Sequence, residues 1–375
     1  MTFPLIGYYT HYHGFGHQRR AEAILAHVRN PAWVISSRMN PRDWCVPPGT
    51  QFLDLPCDDE DLLEEGLTRS GDVPGVHYVP LWAPNCRQRI ADYTAWMATE
   101  RPSLVVVDVS VEISLLTRMA TIPQIVMRQH GQRDDDAHEN AYHAAERLLA
   151  PFPEMLEDDI TPEWVRQKTL YLGGFARSVA PVSRVEARDQ LQLSNEERVV
   201  VVMTGRGGHA RTPSQIVEAA RATQDWQWHV IGGIEEHDAD SSPDNVTWHG
   251  WVSNPEVYIN ACDVLVTAAG HNSVMEAGRD RVRMIAIPED RPFREQERKV
   301  AVLDREQLAI GQTQWPEPQH WPALLEQAMQ LDLSRWDAVF NGNGAEQAAR
   351  LIEEIADWSA DRFQQIDQPA SGVMA

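Results

Sequence analysis

Basic residues are scarce in this chain. Arginine and lysine together number 33 against 55 aspartates and glutamates, a net charge of −22. A surface of that sign repels phosphate backbones, so nucleic acid is not an expected partner. It also repels anionic lipid, and no polybasic run offsets it. Long apolar runs are missing as well. None reaches the roughly 20 residues that a membrane-spanning helix needs, and no basic-then-apolar leader opens the chain. Cysteine is limited to Cys45, Cys57, Cys86 and Cys262, spaced for neither a disulfide framework nor a zinc site. These absences give the expectation of a cytoplasmic protein with free thiols and no transmembrane segment.

What is present is alternation. With 375 residues the chain exceeds one ordinary core, and two domains are expected. Short β-branched runs such as PLIGYYT, SLVVVDVS and PQIVMRQH alternate with helical patterns such as HQRRAEAILAHV, VEISLLTRMA and ENAYHAAERLLAPF. Continuous apolar strands between helices are the mark of parallel sheets covered on both faces. The pattern breaks at LGGFARSVAPVS, then resumes with RVVVVMT, SQIVEAARAT, WQWHVIGG, DVLVTAA and RMIAIP. The expected class is α/β, with two doubly wound parallel-sheet domains facing across a cleft. The divisions are 1–172, a linker 173–183, a second domain 184–342, a C-terminal helix 343–360 and a frayed tail 361–375.

Four stretches carry chemistry. The first is HGFGHQRRAEAI, where Gly14, Phe15 and Gly16 turn the chain from a strand into a helix that opens with His17. A neutral imidazole in the first turn of a helix is suited to general-base work. The second is DVLVTAAGHNSVMEAG, in which Gly270 permits close approach and Asn272 and Ser273 open a helix able to hold phosphate. Glu276 follows one turn later, suited either to a ribose diol or to a capping box with Ser273. The third is MTGRGGHA, where Gly205, Gly207 and Gly208 follow a strand. It lacks the Lys-Ser/Thr of a Walker loop and the full dinucleotide fingerprint, so neither an ATPase nor an NAD enzyme is expected. The fourth is PEDRPFREQERKVAVL, in which Glu295 and Gln296 open a helix at the cleft edge. No metal is expected: His11, His13 and His17 are close in sequence but lack a helical ligand pair with a third ligand.

In this order the motifs resemble the two-Rossmann-domain (GT-B) nucleotide-sugar glycosyltransferases, near the family-28-like branch that includes lipid-II-forming enzymes. The resemblance spans nearly the whole chain and is strongest from Arg198 to Gln307. It implies that Gly205, Arg206, Gly207 and Gly208 lie by the donor diphosphate, with Gly250, Trp251 and Val252 at the uracil edge. It implies that Gly270, His271, Asn272 and Ser273 hold phosphate, Glu276 the ribose, and Glu295 and Gln296 the donor sugar. The N-terminal half would bind the acceptor through Gly14, Phe15, Gly16, His130 and Arg133. Arg206 and His271 depart from the lipid-II pattern and stand as further diphosphate ligands. The expected reaction is inverting, metal-independent transfer from a UDP-sugar to a hydroxyl acceptor, small or lipid-linked, with His17 as base and Asp108 orienting it. A nucleotide-sugar epimerase or hydrolase of the same fold, and a non-catalytic nucleotide-sugar-binding protein, are the alternatives. No cofactor is expected beyond the sugar nucleotide.

Overall fold

The computed structural model describes residues 3–13, 15–176, 182–205, 211–234 and 242–367, with backbone alone for residue 15 and residues 365–367. Seven strands form the first sheet: β1 (Ile6–Thr10), β2 (Ala32–Ser36), β3 (Gln51–Asp54), β4 (Leu104–Asp108), β5 (Gln124–Met127), β6 (Arg147–Ala150) and β7 (Thr169–Tyr171). Their spatial order is β3-β2-β1-β4-β5-β6-β7. Six form the second: β8 (Arg198–Met203), β9 (Trp226–Ile231), β10 (Val246–Gly250), β11 (Val264–Thr267), β12 (Arg283–Ala286) and β13 (Ile310–Gly311). Their order is β10-β9-β8-β11-β12-β13. Every pairing in both sheets is parallel.

The strand order reverses between β1 and β4 and again between β8 and β11, where crevices open at the strands' carboxyl ends. Register decides what meets there. Thr10 pairs with Asp108, so the segment after β1 starts beside Asp108. Met203 pairs with Thr267, so the loop after β8 starts beside the Ala268–Ser273 turn.

All five residues of β1 and of β4 are buried, as continuous apolar runs in a doubly covered sheet require. The helix Gly344–Asp367 returns from the second domain to the first. Its Ala345, Ala348, Ala349, Ile352 and Ala356 fall on one face and pack with Ile6, Ile24, Val34 and Val106. Arg29 clamps it from the other side, donating to Glu353 through its guanidinium and its backbone N–H.

Three expectations change. The helix expected over ENAYHAAERLLAPF is the helix Asp136–Ala144 followed by strand β6, because β-sheet burial captures the apolar RLLA. The helix Pro84–Glu100 and strand β3 went unread; both are too polar to show a clear period. The last helix runs to Asp367, so the fraying expected from residue 361 does not begin there.

The linker's first half is packed. Gly174 N–H donates to Val339 O, and Gly173 N–H to the Gln347 side chain. A Cβ on Gly344 would stand 1.9 Å from the Gly173 carbonyl oxygen, against backbone that cannot yield. Gly344→Ala is therefore expected to lower stability by about 1–3 kcal/mol. Gly71→Ala, whose Cβ meets nothing within 4 Å, is the neutral control. Equal melting temperatures for the two variants would contradict this packing.

Candidate active site

Asp108 closes β4 with no solvent exposure. Arg20 grips it with two bonds, Nε to Oδ2 at 2.8 Å and Nη2 to Oδ1 at 2.5 Å. His17 lies one helical turn before Arg20, and its Nδ1 is 3.0 Å from the same Oδ1 and 2.9 Å from Arg20 Nη2. Both side chains come from the helix Phe15–Leu25, so residues i and i+3 share one face. Burial alone would raise the Asp108 carboxyl pKa, but the Arg20 guanidinium and His17 override it and hold the group well below the usual carboxylate range.

Four of the twelve left-handed non-glycine residues among the described residues stand around this point. Val109, next to Asp108, has φ +64°, which is costly for a β-branched residue. Ala269, before Gly270, has φ +62°. Phe293 and Arg294, before Glu295, have φ +60° and +53°. Each left-handed residue costs on the order of 1–3 kcal/mol, and such outliers cluster at functional sites.

In the first domain a cavity of about 440 Å³ opens beside these residues. Its walls include Tyr12, Tyr78, Tyr142, Phe293, Val111 and Leu116. His11 also lines it, and its ring centroid is 6.0 Å from that of His17. Arg133 reaches the cavity and crosses to Glu295 Oε2 at 3.3 Å. His130, expected at the acceptor, does not line this cavity: it is buried, with Nε2 donating to Leu156 O at 2.7 Å. Gly14 lies outside the described residues, and of Phe15 only the backbone is described.

His77 and His138 line the cavity and with Asp135 form a group close enough to hold a cation. Asp135 receives bonds from His77 Nε2 at 2.8 Å and His138 Nδ1 at 2.5 Å. Arg133 Nη1 faces His138 Nε2 at 2.9 Å. The Arg133 guanidinium thus places a positive charge beside this group. The second acidic group, Cys57, Asp59 and Glu60, is already occupied by the Arg38 guanidinium.

In the second domain, Gly205 stands after β8, while Arg206, Gly207 and Gly208 lie outside the described residues. Gly250 has φ +60° and turns Trp251 outward, 58% exposed. A Cβ on Gly233 would stand 3.3 Å from the Trp251 ring and 3.7 Å from Gly205 O, so the three residues form one shelf. Val252 packs inward against the core. Gly270 offers no side-chain cap to the helix His271–Arg279, which leaves its first amides uncapped. Glu276 is half-buried on that helix, acting electrostatically on Arg279. Gln296 is buried and accepts from Glu289 N–H at 2.8 Å, so its carbonyl fixes a loop.

The two halves touch. Asn272 Nδ2 donates to Gly16 O at 3.4 Å, and Gln132 N–H to Phe293 O at 2.7 Å. Arg298 from the helix Glu295–Arg305 binds Asp158 of the first domain, with Nε to Oδ2 at 2.9 Å. Sequence reading missed Arg20, Lys299, Tyr12, Tyr78 and Phe293. For Arg20 the signal was available, three residues after His17 on an expected helix.

No family model matches the chain. Two curated relatives, each named an uncharacterized glycosyltransferase, come from Methanosarcina acetivorans and Methanosarcina mazei. The first is 29% identical over 92 residues, 24% of either protein, and the second 28% over 100 residues, 26% of either. The chain thus matches about a quarter of each relative's length. Solved structures match throughout. The glycotransferase of kitacinnamycin gives TM-score 0.71 at 14% identity, covering 95% of this chain and all of that one. The fold is GT-B. Phytolacca americana UGT2, complexed with UDP-2-fluoro-glucose and pterostilbene, gives 0.63 at 13% identity, covering 97% and 100%. CalG4, the calicheamicin glycosyltransferase, gives 0.60 at 12% identity, covering 99% and 100%. Among the described residues of this GT-B chain, no helix is long and apolar enough to cross a membrane.

Removing the Arg20 charge strands a buried carboxylate. Arg20→Met is expected to cost about 3–5 kcal/mol at neutral pH. The sign follows from the depressed Asp108 pKa: the ion pair's contribution is present above the unfolded carboxylate range and fades as pH falls. The gap between wild type and variant in urea unfolding should therefore narrow below about pH 4. A gap under about 1 kcal/mol at pH 7 is the value expected of a surface pair and would contradict burial of the charge.

Proposed function

We propose that the protein is a glycosyltransferase that moves a sugar from a nucleoside-diphosphate sugar, a UDP-sugar first, to a hydroxyl on a small aromatic or apolar acceptor. The observation that carries this is the position of the His17–Asp108 pair. It stands between the aromatic-walled cavity and the uncapped helix at His271, on the seam where Gly16 meets Asn272. The relatives named as glycosyltransferases and the UDP-sugar-bound neighbour support the donor class.

The chemistry follows from which proton sits where. Arg20 Nη2 spends its in-fork proton on Asp108 Oδ1, so His17 Nδ1, lying beside that bond, is placed to donate to Oδ1 in turn. That tautomer leaves Nε2 with a lone pair for the acceptor hydroxyl. The freed oxygen attacks the anomeric carbon from the face opposite the diphosphate, and the configuration inverts. Charge growing on the leaving diphosphate is met by the positive end of the helix His271–Arg279. Trp251 over its glycine shelf suits stacking of a flat base, Glu276 the ribose, and Glu295 the donor sugar. We assign no metal to this reaction, because fixed positive groups stand at the point where charge develops.

The cavity also favours transfer over the alternatives. About 440 Å³ of largely apolar space beside the base serves an organic acceptor and has no role in hydrolysis or epimerisation. Release of UDP from UDP-glucose should require a phenolic acceptor from a screened panel. His17→Ala should lower that rate about 10²–10⁴-fold while changing UDP affinity by less than about twofold. UDP release that is indifferent to acceptor and to His17 would overturn the transferase reading.

A further inference from the structure

Lys299 is the feature that the reaction described so far does not use. It sits one turn after Glu295 on the helix Glu295–Arg305 and is 3% exposed. Its Nζ stands 3.0 Å from His271 Nδ1, its one hydrogen-bond partner among the described residues. An ammonium has three protons to place and seldom goes inside without a carboxylate bonded to it. Here a buried amine spends one proton on an imidazole.

Its surroundings hold the Arg20 guanidinium and three imidazoles. Arg20, His17 and His130, all from the first domain, act electrostatically on His271 together with Lys299. Of the two carboxylates nearby, Asp108 is taken by Arg20 and His17, and Glu295 is bonded to Arg133. The helices Phe15–Leu25 and His271–Arg279 also bring their N-termini together at Gly16 and Asn272, adding two positive dipole ends. A chain of net charge −22 has gathered an arginine, a lysine and three imidazoles at this one buried seam. Such a seam asks for an anion.

We propose that Lys299 is a positioning residue for the leaving diphosphate: it donates to His271 Nδ1, fixes His271 with its proton on Nε2, and lends the seam a charge that the nucleoside diphosphate neutralises. The inference rests on the glycosyltransferase reading above. In the absence of the ligand, the crowding of like charge has a visible cost. Burial, with Arg20 beside it, lowers the Lys299 pKa to about 8 against the pull of Glu295. His271 and His130 are pushed well below 6.5, chiefly by burial and then by Lys299. Arg20 stays charged, raised by Asp108 against the cost of burial. The facing groups are thus Glu295 on its own helix, His271 on the helix opposite, His17 and Arg20 from the first helix and His130 after β5. Lys299 is the member whose proton is lost near pH 8.

The sign follows. Diphosphate binds the protonated amine, so its affinity should hold up to about pH 8 and fall above it. Uridine carries the same base and no phosphate, so titration of the base cancels in the ratio of the two affinities. The test is calorimetric titration of UDP and of uridine into the full chain, from about pH 6.5 to 9.5. Lys299→Met should weaken UDP about 10- to 100-fold and leave uridine within about twofold. Lys299→Arg should keep UDP affinity and lose the decline above pH 8, since a guanidinium does not titrate there. A wild-type UDP/uridine ratio in Lys299→Met, or a decline that persists in Lys299→Arg, would overturn the role of Lys299 and leave the donor reading standing. Failure of the wild-type protein to bind UDP at any pH would overturn the donor reading and this inference with it.

Discussion

A carboxylate with no access to water must be held ionised by something, and at Asp108 the whole first domain is arranged to do so. The guanidinium of Arg20 takes both oxygens, and His17 shares one of them. This fixes more than a charge. It pins the helix Phe15–Leu25 to the end of β4, orients the imidazole, and sets the helix N-terminus against the second domain at Asn272. The cost of placing these groups shows in Val109, a β-branched residue forced into the left-handed region immediately after Asp108. Left-handed backbone recurs at Ala269, before Gly270, and at Phe293–Arg294, before Glu295.

The electrostatic logic inverts that of the surface. A net charge of −22 keeps the exterior repulsive to polyanions, while Arg20, Lys299, His17, His130 and His271 converge inside the seam. A small anion entering there is released from competition with bulk water and meets dipoles already oriented. The contacts around the seam are built to hold the domains near one another. Arg133 to Glu295, Gln132 to Phe293 and Arg298 to Asp158 all cross from one domain to the other. The helix Glu295–Arg305 therefore belongs to both halves at once, carrying Glu295, the buried Lys299 and the clasp at Arg298.

Most of the architecture was legible because parallel sheets announce themselves. Runs such as SLVVVD and RVVVV are buried on both faces and need no partner context to be read. The segments that escaped are those where context decides. RLLA looks like the end of a helix until pairing with β5 and β7 makes it β6. Strand β3 has exposed ends and gives no alternation. For the site, glycines and a helix-opening histidine mark the loops, since close approach leaves a trace in composition. His130 stands apart from the cavity because its ring is turned to backbone, at Leu156, which no feature of the sequence announces. The cavity was invisible in the sequence, because Tyr12, Tyr78, Tyr142 and Phe293 come from four separate segments and two domains.

The central claim is that the seam between the two sheets receives the diphosphate of a sugar nucleotide, with the base on one side of it and the donor shelf on the other. A crystal structure of the full chain with UDP tests this most directly. The account predicts the β-phosphate at the amides of Asn272 and Ser273, beside His271, with the uracil ring against Trp251. Nucleotide in the aromatic-walled cavity of the first domain, or density that leaves the helix His271–Arg279 untouched, would contradict it.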